Sequence, residues 1–195
     1  DSNTFMHLGD TVIYDKDGNI ISEINVSNYE YVEVENLSPW VYKGYIAVED
    51  KAYKYHNGLN YKGLMRAAVS LVQNRGEITQ GGSSITQQVI KNNLLSQERT
   101  FQRKFLELFL APEFEKRYTK HEIMEFYVNT NFYGNNCYGI ETASLYYFGK
   151  PSIELTIPEA AMFVGMSNNA TVYNPKTNYD LVKEDIIAVR NACGT

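Results

Sequence analysis

Long apolar runs are missing from this sequence. No stretch of about twenty consecutive apolar residues occurs, so no segment reads as a membrane-spanning helix. The most apolar window, 105–111, carries Glu107 in its middle. Cysteine is scarce: Cys137 and Cys193 could pair in an oxidising compartment or stay as free thiols. No HExxH, CxxC or related spacing is present, so a metal caged by protein ligands is not expected. G-x-S-x-G, P-loop and dinucleotide fingerprints are also absent. Positive charge is in deficit, with 18 Lys and Arg against 23 Asp and Glu. The net charge of −5 excludes a global field that would attract nucleic acid or anionic lipid, so any anion site must be local.

What remains is an ordinary globular composition in 195 residues, enough for one domain or one domain with an arm. Sixteen Tyr against one Trp supply amphipathic rings that suit an interface, a sugar cleft or a core. Residues 1–36 are β-like. Thr11–Tyr14 and Ile20–Ile24 flank Asp15-Lys16-Asp17-Gly18, a hairpin signal, and the alternation of Tyr31–Glu35 predicts a third strand. From Asn36 the period turns helical. Helices are expected over about 39–50, 61–73, from Ser83 or Ser84, 100–118 with a kink at Pro112, 120–129, 140–148, 157–166 and 180–192. Thr119–Glu122 and Thr156–Glu159 read as capping boxes. Residues 74–82, with three glycines, read as a mobile loop. The fold class is therefore mainly α, with an N-terminal β-hairpin arm.

Three constellations carry chemistry. In the first, an apolar helix capped by Ser38, with Pro39 at its first position, ends in Glu49 and Asp50. Two carboxylates at the negative end of a helix dipole are not explained by local stability, and such a field raises basicity, as a general base requires. In the second, Gly81-Gly82-Ser83-Ser84 opens a helix whose Ser84, Gln87, Gln88 and Lys91 fall on one polar face. That face and the free N–H groups of the helix start suit a sugar or phosphate. In the third, Arg99, Arg103 and Glu107 stand at i, i+4 and i+8 with Lys104 beside them, a cationic track suited to a diphosphate. His56 reads as a structural hydrogen-bonder. Glu122 and Glu159 are accounted for by their caps.

These motifs occur in a fixed order: Glu49-Asp50-x-x-Tyr53-x-x-His56-x-Gly58, Gly81-Gly82-Ser83-Ser84-Ile85-Thr86-Gln87-Gln88, and Arg103-Lys104-x-x-Glu107. Lys120-x-x-Ile123-x-Glu125-x-Tyr127-x-Asn129 and Tyr147-Phe148-Gly149-Lys150 with Pro158-Glu159-Ala160-Ala161 follow. The pattern resembles the peptidoglycan glycosyltransferase domain, the family 51 transglycosylase of class A penicillin-binding proteins and monofunctional relatives, over about residues 38–175. Tyr53 stands where the family usually has Phe, and Ser84 where it has Thr.

The resemblance implies a lysozyme-like helical head with a small membrane-facing jaw, residues 1–36 being a β-rich linker arm and 37–195 the transferase domain. It implies polymerisation of lipid II into β-1,4-linked strands, with release of undecaprenyl diphosphate and inversion at the donor MurNAc C1. Glu49 would be the general base and Glu107 a second catalytic carboxylate. Asp50, Ser83, Gln87, Gln88, Lys91, Arg99, Arg103 and Lys104 would bind substrate. No tightly bound cofactor is implied; a divalent cation, Mg or Mn, at the diphosphate is the one candidate. Expected partners are lipid II, the growing glycan strand, the membrane surface through the jaw and an attached transpeptidase domain, with no nucleic acid. The expected location is the outer face of the bacterial cytoplasmic membrane, with an anchoring helix upstream of this sequence. The alternative is a peptidoglycan hydrolase on the same scaffold, but a chain-cleaving enzyme has no diphosphate for the basic residues to hold.

Overall fold

A computed structural model describes residues 11–24, 29–73, 82–95 and 101–193. Arg99 and most of the glycine-rich stretch 74–82 lie outside the described residues. Strands β1 (Thr11–Tyr14) and β2 (Ile20–Ile24) pair antiparallel, with Thr11 opposite Ile24 and an irregularity between Ile13 and Tyr14. Their turn closes on Asp15, whose Oδ1 accepts from the N–H groups of Asp17 and Asn19, both at 2.8 Å. Gly18 takes the left-handed conformation there, at φ +85°.

Eight α-helices follow among the described residues: α1 (Pro39–Val48), α2 (Tyr61–Gln73), α3 (Ile85–Leu94), α4 (Phe101–Glu115), α5 (Lys120–Thr130), α6 (Ile140–Phe148), α7 (Ile157–Asn168) and α8 (Tyr179–Cys193). The third strand expected at Tyr31–Glu35 does not form. Its backbone is satisfied by α5 side chains instead of a ladder. Val32 N–H donates to Asn129 Oδ1 at 3.0 Å, Asn129 Nδ2 donates to Val32 O at 2.8 Å, and Val34 N–H donates to Glu125 Oε2 at 2.9 Å. The segment then closes in a 3₁₀ turn, Val34–Asn36.

The starts of α3, α5 and α7 follow local chemistry, and that of α1 does not. Thr119 with Glu122 and Thr156 with Glu159 cap α5 and α7 as expected. Ser84 with Gln87 forms a further capping box on α3. Ser38 does not cap α1 by its side chain. Its hydroxyl is buried and donates to Leu155 O at 2.8 Å, tying α1 to the approach to α7. Helix α4 runs through Pro112 to Glu115, so the proline does not end it.

Helix α7 is the centre of the core. Every residue from Ala160 to Met166 is buried, because its sequence offers no polar stripe. It packs between α1 and α8, and Gly44 of α1 admits Val164 at close range. Phe163 meets the rings of Tyr133, Tyr147 and Phe148 edge-on, with centroids 5.4–6.0 Å apart. Helix α3 packs against α4 and α5, which brings the second and third motifs side by side.

Candidate active site

Glu49 follows the last turn of α1, its backbone N–H donating to Tyr45 O at 2.8 Å. Its side chain is half-buried, and Oε2 accepts from Gln88 Nε2 at 2.9 Å. Gln88 is held in turn by Tyr127, whose hydroxyl reaches Gln88 Oε1 at 3.2 Å. A polar cleft of about 340 Å³ opens beside Glu49, lined also by Lys51, Asn60, Arg66 and Ser83. Glu49 thus has one oriented oxygen and access to open space, which a base acting on a bound hydroxyl needs.

Asp50, expected from the motif to bind substrate, is enclosed by its neighbours. It is 1% exposed. Its Oδ2 lies 2.7 Å from His56 Nε2 and accepts from Ile85 N–H at 3.3 Å, while Oδ1 accepts from Asn60 Nδ2 at 3.1 Å. With its oxygens engaged and almost no surface, this carboxylate ties together the end of α1, the turn after it and the start of α3. His56 is a structural hydrogen-bonder, as its sequence context implied. Its other nitrogen faces Glu115 Oε1 at 4.0 Å, and that carboxylate also holds Thr86 and Lys120.

The polar face expected on α3 divides. Ser84 and Gln87 are buried in the capping box, with Ser84 Oγ also donating to Gly58 O at 2.5 Å. Gln87 is therefore an internal residue, its side-chain oxygen accepting from the N–H of Ser84 at 3.0 Å. Gln88 and Lys91 stay half-buried, with Gln88 held on Glu49. Ser83 Oγ is held by Lys104 Nζ at 2.7 Å.

On α4, Glu107 is 1% exposed, with Lys104 Nζ at 2.7 Å and Arg103 Nε at 3.3 Å. This carboxylate, which the family resemblance implied to be catalytic, is enclosed by the two cations it pairs with. Lys91 completes the group. Burial holds its pKa below the ordinary 10.5, and Arg103 and Lys104 push the same way, against the pull of Glu107 and Glu49. Three cations around one buried acid leave a local positive excess, as an anion site demands. The residues that sequence reasoning missed are Lys51, Asn60 and Arg66. They lie outside the recognisable motif positions, and only folding brings α2 beside Glu49.

The chain matches the family described as Transglycosylase over residues 17–193. It is 40% identical over 174 residues to "Penicillin-binding protein 4" of Bacillus subtilis, covering 88% of this chain and 28% of that protein. It is 40% identical over 166 residues to "Penicillin-binding protein 1A" of Pseudomonas aeruginosa, covering 85% and 20%. "Penicillin-binding protein 1A" of Aquifex aeolicus is 37% identical over 163 residues, covering 84% and 22%. The chain therefore spans between a fifth and somewhat over a quarter of the length of these relatives. Its ordered motifs, the helical fold that assembles them and the match across nearly its whole length all agree: the chain belongs to the transglycosylase family.

Proposed function

We propose that the chain is a peptidoglycan glycosyltransferase domain that polymerises lipid II. The observation that carries this reading is the division of one site into a base and a cationic group. Glu49 is oriented by Gln88, and Lys91, Arg103 and Lys104 surround Glu107. Glu49 takes the proton of the acceptor GlcNAc 4-hydroxyl as that oxygen attacks C1 of the donor MurNAc. The bond from C1 to the diphosphate oxygen breaks with inversion, giving a β-1,4 linkage and undecaprenyl diphosphate. The leaving group is already a stabilised anion, so cations serve it better than a general acid. Inversion also needs the base on the face opposite the leaving group. A hydrolase would gain nothing from this cationic group.

The donor set does not suit a protein-held divalent ion. Glu107, the carboxylate among the cations, is engaged by Lys104 and Arg103, and no group of three His, Cys, Asp or Glu suited to a metal occurs among the described residues. Apolar side chains bared on α2 and α4 support seating on a membrane surface. Met65, Val69, Phe101, Phe105 and Phe109 are all more than half exposed. By analogy with its longer relatives, the domain belongs to a membrane-anchored protein at the outer face of the cytoplasmic membrane, with a transpeptidase domain attached.

Incubation with purified lipid II should yield glycan polymer. Glu49→Gln should cut the rate by about 10²–10⁴-fold with the melting temperature unchanged. Full turnover by that variant rejects Glu49 as the base.

A further inference from the structure

Gln88 stands between two groups of opposite need. Its Nε2 donates to Glu49 Oε2 at 2.9 Å, and its Oε1 accepts from the Tyr127 hydroxyl at 3.2 Å. The two ends of an amide exchange by a half-turn about its last bond, so the end that faces the base depends on what holds the other. We infer that Tyr127 is a positioning residue for the base: its buried hydroxyl keeps the NH₂ end of the Gln88 amide on Glu49 throughout turnover. The inference rests on the polymerase reading and deepens it.

Enclosure is the first argument. Tyr127, on α5, is 1% exposed, while Gln88 on α3 and Glu49 after α1 are half-buried. The Tyr127 hydroxyl therefore acts on the base through the Gln88 amide. It stays a donor over the working range of pH: burial first, and the charge of Glu49 after it, push its pKa well above the ordinary 10.0. The Tyr127 ring stands edge-on to that of Tyr45, with centroids 5.0 Å apart. Tyr45 is itself anchored, its hydroxyl lying 2.7 Å from that of Tyr133, and its carbonyl accepts from Glu49 N–H at 2.8 Å. One pair of buried tyrosines thus sets both the backbone and the side chain of Glu49.

The proton is the second argument. An ionised carboxylate only accepts hydrogen bonds, so it selects the NH₂ end of the amide by itself. That selection ends once Glu49 takes the proton of the acceptor hydroxyl. A carboxylic acid is a donor, and an amide free to turn would offer it Oε1 and hold the proton in place. The Tyr127 hydroxyl already occupies Oε1 and opposes that turn. The proton then leaves Glu49 for solvent through the polar cleft beside it, and the carboxylate is ready for the next hydroxyl. Loss of the Tyr127 hydroxyl should therefore slow turnover and leave substrate binding alone.

The test is a double-mutant cycle on lipid II turnover, at a temperature where circular dichroism shows every protein folded. Tyr127→Phe removes one oxygen and keeps the ring. It should lower kcat about tenfold with KM within about twofold. Gln88→Met keeps the length of the side chain and has no amide to turn, so adding Tyr127→Phe to it should change kcat by less than about twofold. An unchanged kcat in the single variant, or an equal fall in both backgrounds, overturns the inference. A second arm needs no turnover. In it, the side-chain amide signals of Gln88 are followed by NMR in ¹⁵N-glutamine-labelled protein and assigned by their loss in Gln88→Met. In Tyr127→Phe they should move towards the positions of exposed glutamines, and unmoved signals overturn the inference. If wild type makes no polymer yet these signals move, the polymerase reading fails and the positioning by Tyr127 stands. If wild type polymerises lipid II and the signals stay, the positioning alone fails.

Discussion

Gly58→Ala offers a sharp test of how the cleft is braced. Gly58 sits at φ +85°, and a Cβ built there would lie 2.5 Å from both the carbonyl carbon and oxygen of Ala111 and 2.9 Å from Pro112 N. These neighbours are backbone atoms of α4, so no side chain can rotate away. The left-handed conformation costs a non-glycine residue about 1–2 kcal/mol. Forcing α4 away from the turn adds about 1–3 kcal/mol of overpacking. The sum of about 2–5 kcal/mol is a large share of a typical domain's stability of about 5–15 kcal/mol. At about 2–4 °C per kcal/mol for a chain of this size, the melting temperature should fall by about 10 °C. Gly149→Ala is the matched control: it shares a positive φ, +66°, but its Cβ would meet nothing within 4 Å. Thermal unfolding followed by circular dichroism on both variants separates backbone strain from collision. If Gly58→Ala melts within about 2 °C of Gly149→Ala, the contact with α4 does not brace the site and the reasoning fails.

Two further outcomes follow from other contacts. Asn129→Ala leaves the N–H and carbonyl of Val32 without their partners, which should cost about 2–4 kcal/mol; amide exchange at Val32 should accelerate while that of α7 holds, and unchanged protection at Val32 counts against the docking. In the proposed role Lys91 holds the donor diphosphate only while protonated, and its lowered pKa means that the charge is lost as pH rises before an ordinary lysine at 10.5 would lose it. The donor kcat/KM should therefore fall on the alkaline side with a midpoint below 10.5, and Lys91→Arg should remove that fall. A profile that is the same in both proteins excludes Lys91 as the titrating group.

Periodicity and capping signals placed the helices well, because those signals are local. Thr119 with Glu122 and Thr156 with Glu159 mark α5 and α7 in any context. The two misreadings of local structure, at Ser38 and at Tyr31–Glu35, share one cause, which is tertiary competition for the same atoms. Ser38 had a cap to make and was taken by Leu155 O. Tyr31–Glu35 alternates as a strand should, yet Asn129 and Glu125 offered its backbone partners 90 or more residues away. Gln87 and Asp50 are polar residues in a site motif, and nothing in their spacing says that both are buried. Motif reading named Glu49, Gln88, Lys91, Arg103 and Lys104, and folding sets Gln88 on Glu49 and both Arg103 and Lys104 on Glu107. It passed over Arg66, whose α2 neighbours look like any amphipathic surface.

Helix α7 also constrains when the domain can form during synthesis. Its middle, Ala160–Met166, is apolar and buried on every face, and the helix is covered by α1 from near the beginning of the described residues and α8 from their end. Residues about 140 positions apart must therefore meet before the core is dry. Such distant closure is slow, and until α8 has left the ribosome the faces of α1 and α7 stay open to water or to other chains. A chain cut before Tyr179 should be bound by holdase chaperones or aggregate. The burden of late completion falls on the cell's folding helpers, and it is set by the apolar middle of one twelve-residue helix.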